Sequence, residues 1–204
     1  MKTKALPIQN NSGIFMSRKS AQALLETIES DPHASHLTPY YIAALCAGME
    51  GALNNCFVDF LHRKLGKGYA KHLKPYLFMK IQDRLEMAPL LLSNFEYELQ
   101  ANSNHVKEVL RLFDLRNQFL HVKHLWHYAD VRFDDDGHIV GFEYHNKAHP
   151  DPYRGDSGSW PQSKELRTLF KAHDRFIHRF SSLNNAISRK SFKADEWVQR
   201  VKRT

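Results

Sequence analysis

The sequence predicts a mainly α-helical protein with one β-hairpin inserted ahead of its last long helix, as a single domain over residues 1–204. Two observations carry that prediction. Apolar residues recur at the helical period through Tyr40 to Leu65, Leu110 to Tyr128 and the stretch from Ser163 to about Arg189. The period changes to alternation between Ala129 and Tyr144, around Asp134-Asp135-Asp136-Gly137. There is no internal repeat and no low-complexity tract.

The elements follow in order. Met1 to Ser12 is polar and reads as loose chain. Phe15 to Ser30 is an amphipathic helix with Ala21, Leu24, Leu25 and Ile28 inward, stopped by Asp31-Pro32. Thr38-Pro39 opens the next helix with a capping hydroxyl and a first-turn proline. Gly66 and Gly68 close it. Pro75 breaks the stretch after Tyr69, and Tyr76 to Met87 is a further helix. Phe95, Tyr97 and Leu99 alternate within the less regular Ser93 to Ser103, and Asn102 to Asn104 is a polar turn. The helix from Leu110 to Tyr128 follows.

After it, Val131 and Phe133 alternate and Ile139 to Tyr144 is strand-like, which places the hairpin at about residues 130–145. Its Asp run is turn chemistry, because it lacks the spaced carboxylates and closing Glu of a calcium loop. His149 to Trp160 is a loop rich in Pro, Gly and Asp. Pro161 and Ser163 start the last helix, whose stripe is Leu166, Leu169, Phe170, His173, Phe176, Ile177, Phe180 and Leu183. The basic tail, about 190–204, is expected to form a short helix around Trp197.

The composition is that of an ordinary globular protein, 42% hydrophobic and 25% charged. No apolar run approaches the roughly 18 residues of a membrane span, and the N-terminus lacks a signal-peptide core. A cytoplasmic location and no membrane partner are expected. Cys46 and Cys56 lie on one predicted helix, roughly 15 Å apart, too far for a disulfide. They read as small core residues in a reducing compartment. The net charge of +7, from 29 Lys and Arg against 22 Asp and Glu, favours an anionic partner, nucleic acid first. That charge reads as spread along the chain rather than clustered.

Two charges stand out by phase. On a projection of the Leu110 to Tyr128 helix, Val109, Leu112, Phe113, Leu115, Phe119, Leu120, Val122 and Trp126 share one arc, and Arg116 sits inside it. On the Tyr40 to Leu65 helix, Ala43, Cys46, Met49, Leu53, Phe57, Phe60 and Leu61 share an arc that includes Glu50. A guanidinium in an apolar layer needs a carboxylate. The two helices are therefore expected to pack together with Glu50 on Arg116. Asn117, His121, His124 and Tyr128 share another face of the motif helix.

The segment RNQFLH, Arg116 to His121, resembles the Rx4-6H signature of the HEPN superfamily, with a polar residue after the arginine. The helix AALCAGMEGALNNCFVDF, with its embedded Glu50, resembles the earlier core helix of that family. The likeness spans roughly Thr38 to Tyr128, and the last helix closes the bundle. The hairpin directly after the motif, and Val122 where a small residue is usual, depart from the pattern.

The resemblance implies an antiparallel helical bundle, often a homodimer that sets two motifs face to face in a cleft. It also implies a metal-independent endoribonuclease without a cofactor, of the kind found in toxin-antitoxin and antiviral systems, with RNA as substrate and an antitoxin or regulatory protein as a candidate partner. Other members only bind nucleotides, RNA or proteins.

The residue chemistry fits. Histidine titrates near neutrality and moves protons, and arginine presents a planar fork to phosphate. His121 is assigned the acid/base role, Arg116 the phosphate, Asn117 the orientation of one of them, and Glu50 the arginine geometry. His124 and Tyr128 are candidate substrate contacts.

Blander readings stand beside these. Arg116 and Glu50 also read as a structural pair, and His121 as a surface histidine. His121, His124 and His127 follow H-x2-H-x2-H, which suggests a transition-metal site, but each step turns the side chain by about 60°, so at best two of the three converge and no Cys or clear carboxylate ligand accompanies them. Trp126, Tyr128, Tyr144 and Trp160 offer stacking faces, with core or hairpin packing the better reading.

Overall fold

The computed structural model describes residues 12–120, 129–144, 161–188 and 193–202. Among these the chain is mainly helical, with a β-hairpin between the motif helix and the last helix. Helix α1 spans Ser12–Ser30 and buries Ala21 and Leu25. Asp31 ends it, accepting the His33 N–H at 2.8 Å and opening a 3-10 turn, Pro32–Leu37.

That turn runs straight into α2, Thr38–Leu65. The expected Thr38 cap is not made. Thr38 is buried, and its backbone N–H bonds to the Ser35 carbonyl. The turn already satisfies the first helical donors, so no side-chain oxygen is needed there. Gly66 ends α2 at φ +58, a conformation open to a residue without Cβ.

A second 3-10 turn, Gly66–Tyr69, leads into α3, Ala70–Leu77. Pro75 lies inside α3 and does not break it. The single bond it forgoes would have gone to the Lys71 carbonyl, at an exposed residue. The break falls at Phe78 to Lys80, and α4 runs Ile81–Leu92, later than expected. Helix α5 is described over Asn104–Leu120 and α6 over Ser163–Ser188.

Helix α2 is the hub and packs against every other helix. Its inward residues, from Tyr41 through Leu45, Cys46, Met49 and Leu53 to Phe57, are at most 1% exposed. Helix α6 runs alongside it in the same direction. The Tyr41 hydroxyl donates to the Leu166 carbonyl at 2.7 Å, and the Cys56 thiol meets the Phe180 carbonyl at 3.9 Å. Gly48 stands between those points, where an added Cβ would lie 2.6 Å from His173 Nε2. Helix α1 is antiparallel to α6, tied by Arg18 to Asp174 near one end and Glu29 to Arg167 near the other. Neither cysteine is in a disulfide, and both are buried. Burial pushes the Cys46 thiol up to about 12, so it is a neutral packing group.

The tail corrects an expectation. Trp197 is not in a helix. Asp195 accepts the N–H groups of Trp197 and Val198 at 2.9 and 3.1 Å. The chain then forms a strand, Val198–Arg200, antiparallel to another at Tyr97–Leu99, with Leu99 opposite Val198. In chain order these are β4 and β1, and β2 and β3 form the hairpin. Trp197 stacks on His105 at 5.3 Å and meets the edges of Phe176 and Phe180 at 5.9 and 6.2 Å. A buried indole needs that apolar lining, and an exposed helical turn would not supply it.

Strands β2, Ala129–Phe133, and β3, Ile139–Tyr144, pair antiparallel as expected. Asp134 spends a carboxylate oxygen on its own turn, accepting from Asp136 N at 3.1 Å and His138 N at 2.8 Å. No helix is long and apolar enough to cross a membrane, among the described residues.

Candidate functional site

The seam between α2 and α5 holds the expected ion pair. Cys46 Sγ touches the Leu112 carbonyl at 3.5 Å, and one turn further along both helices Glu50 meets Arg116. Arg116 Nη1 donates to Glu50 Oε1. Its Nη2 and Nε donate to Asn117 Oδ1 at 3.0 and 3.3 Å. The guanidinium carbon lies 5.2 Å from the centroid of the Phe113 ring, which is itself buried. The cation is thus held by a carboxylate, an amide and an aromatic face, with 23% of its side chain still in reach of water.

A second cation, which sequence reasoning missed, completes the site. Arg84, near the start of α4, brings Nη2 to 3.8 Å from the same Glu50 oxygen and donates through Nη1 to Asn54 Oδ1 at 3.1 Å. Asn54 is one turn after Glu50 on α2. Arg84 is buried, and its buried Nε finds no partner among the described residues. Burial pulls its pKa below the ordinary arginine value, against the pull of Glu50. The signal was present in the sequence: Arg84, Leu85, Ala88, Leu91 and Leu92 fall on one helical stripe, the test that singled out Arg116.

The arrangement is two guanidinium groups on one carboxylate, a local excess of one positive charge in a half-open seam. Such a seam has the charge to hold an anion, and the geometry of phosphate fits the arginine fork. Glu50, Arg116 and Asn117 are brought together. His121, His124, His127 and Tyr128 lie outside the described residues, His121 immediately after the last described residue of α5. So do Trp126 and Trp160. No three of His, Cys, Asp and Glu gather into a metal-binding group among the described residues.

The charge is also less evenly spread than its total suggests. Residues 60–82 hold Arg63, Lys64, Lys67, Lys71, Lys74 and Lys80 and no Asp or Glu.

Compared with known protein families, with curated proteins and with solved structures, the chain matches none. The resemblance to the HEPN superfamily therefore rests on the residues themselves.

Proposed function

We propose that this chain is a HEPN-type, metal-independent endoribonuclease acting as a homodimer, with His121 and Arg116 carrying the chemistry. The observation that supports this most is the Glu50–Arg116 pair across two packed helices, which holds a cation at a half-open seam. In this reading His121 removes the 2′-hydroxyl proton of RNA. The freed oxygen attacks the adjacent phosphorus, the bond to the 5′-oxygen breaks, and that oxygen takes the proton back from the His121 imidazolium. The products are a 2′,3′-cyclic phosphate and a 5′-hydroxyl end. Arg116 stabilises the charge building on the phosphate oxygens, and Asn117 and Glu50 fix its plane. An antitoxin or regulatory protein would act by closing the seam.

The test is incubation of the purified protein with total RNA in EDTA. Cleavage is expected without metal, leaving cyclic-phosphate ends. His121→Ala is expected to lower the rate by about 10²–10⁴ and Arg116→Ala by about 10²–10³. A His121→Ala protein that cuts as fast as the parent would overturn the assignment.

One observation favours a second reading, a non-catalytic module that binds nucleotide, RNA or protein. Three of the five N–H groups of Arg116 are already taken by Glu50 and Asn117. In that case RNA stays intact in EDTA while the protein still binds its ligand.

A further inference from the structure

A pocket of about 180 Å³ opens where α2 ends, lined by Phe60, Arg63, Lys64, Leu91, Leu92 and Asn94. Its apolar part comes from Phe60, Leu91 and Leu92, and its polar part from two cations and an amide. The backbone here is unusual. Asn94 and Phe95 both take left-handed conformations, φ +52 and +65, which a phenylalanine adopts only at a cost. The turn is held by Asn94 N–H to Leu91 O at 3.3 Å and Phe95 N–H to Leu90 O at 2.7 Å. It brings the Asn94 amide within 3.4 Å of Lys64 Nζ and leaves the Phe95 ring exposed.

From that rim the basic run continues through Lys67, Lys71, Lys74 and Lys80, all exposed. Helix α3, in the middle of the run, buries no residue. Its inward contacts are Leu73 and Tyr76, whose ring stacks on Phe57 of α2 at 5.2 Å. Phe78 is 78% exposed, with Lys74 Nζ 5.7 Å from its ring centroid. The run also leads to the arginine seam, since the Arg84 N–H bonds to the Lys80 carbonyl at 3.0 Å.

We propose that the strip from Lys64 to Lys80 binds single-stranded nucleic acid. The lysines hold successive phosphates, Phe78 stacks a base, and the pocket takes another base on its Phe60–Leu91–Leu92 lining. Arg63 is already paired with Asp59 at 2.6 Å, but the five lysines from Lys64 to Lys80 run without an Asp or Glu between them and select a polyanion. The exposed ring and the apolar pocket select one that carries planar groups. A lipid surface fits less well, because α3 has already turned Leu73 and Tyr76 onto the protein and offers lysines to solvent. This inference goes beyond the ribonuclease reading and stands without it, because a binding strip requires no cleavage.

The test is fluorescence anisotropy with a labelled 2′-O-methyl RNA of about a dozen nucleotides, which cannot be cut, between about 50 and 200 mM salt. Thermal unfolding checks that each variant is folded. Lys67→Gln, Lys71→Gln and Lys74→Gln together are expected to weaken binding by about tenfold or more. They should also flatten the salt slope by about 2, at roughly 0.7 per phosphate contact. Phe78→Ala is expected to weaken binding by about fivefold or more. A control carrying Lys107→Gln, Lys164→Gln and Lys171→Gln loses the same charge elsewhere and should bind nearly as the parent does. Equal losses in the two triple variants, or unchanged binding in the first, overturn the proposal. So does binding to phosphatidylserine vesicles that depends on the strip while RNA binding does not. Cleavage by the parent protein together with unchanged RNA binding in the strip variant would sink this inference and leave the ribonuclease reading intact, whereas strip-dependent binding without cleavage would do the reverse.

Discussion

Glu50 serves two guanidinium groups at once, and this makes it the most exposed point of failure in the seam. Glu50→Gln keeps the shape but leaves Arg116 and Arg84 facing each other without a counter-charge. Their side chains are 23% and 10% exposed, so water softens the penalty only in part. The expected loss is about 1–3 kcal/mol in urea unfolding, smaller when Arg84→Met is added. An unchanged midpoint in Glu50→Gln would mean the seam does not need its carboxylate. The Glu50–Arg116 pair was legible in the sequence because each charge broke an otherwise apolar stripe. Arg84 obeyed the same rule and was hidden by a helix boundary placed too early.

His173 gives the other residue-scale prediction. Burial holds its pKa below the ordinary 6.5, against the hydrogen bond it donates to Asp174, which pulls the other way, and Arg18 adds a further lowering. The folded state thus binds this proton less readily than the unfolded chain. Stability should fall as pH drops through about 6.5, and the fall should end below the folded pKa. For Asp174, burial raises the pKa, but its bonds to Arg18 and His173 outweigh that and lower it. Its contribution is therefore lost only at more acid pH. Unfolding free energies at stepped pH should show a slope between about pH 7 and 5 that flattens in His173→Gln. A parallel slope in that variant would place the titration elsewhere.

At the scale of elements, the contact to test is α2 against α6. Their close approach depends on Gly48, where a methyl group would meet a fully buried imidazole ring with no room to turn away. Gly48→Ala is expected to cost about 1–3 kcal/mol. His173→Ala should also destabilise by leaving a cavity, yet the double variant should lose less than the two single losses combined. Additive losses would show that the helices separate freely at this point. The helices themselves were legible because their stripes are long. Helix α3 was not, since Pro75 reads as a breaker and an exposed helix shows little periodic burial. The cation run of residues 60–82 was lost by averaging charge over the whole chain.

For the whole molecule, the clasp between β1 and β4 joins distant parts of the sequence. Trp197 fills the space between His105, Phe176 and Phe180, so Trp197→Ala is expected to cost about 3–5 kcal/mol by thermal unfolding. A variant that melts with the parent would make the clasp ornamental. The alternation of Tyr97 and Leu99 was legible locally, but the pairing was not, because each strand has three residues and its partner lies about a hundred positions away. Translation meets the same separation as a delay. When Tyr97–Leu99 leaves the ribosome its complement has not been made, and the flanking apolar surface of α5 must wait, open to chaperones, until about a hundred further codons have been read.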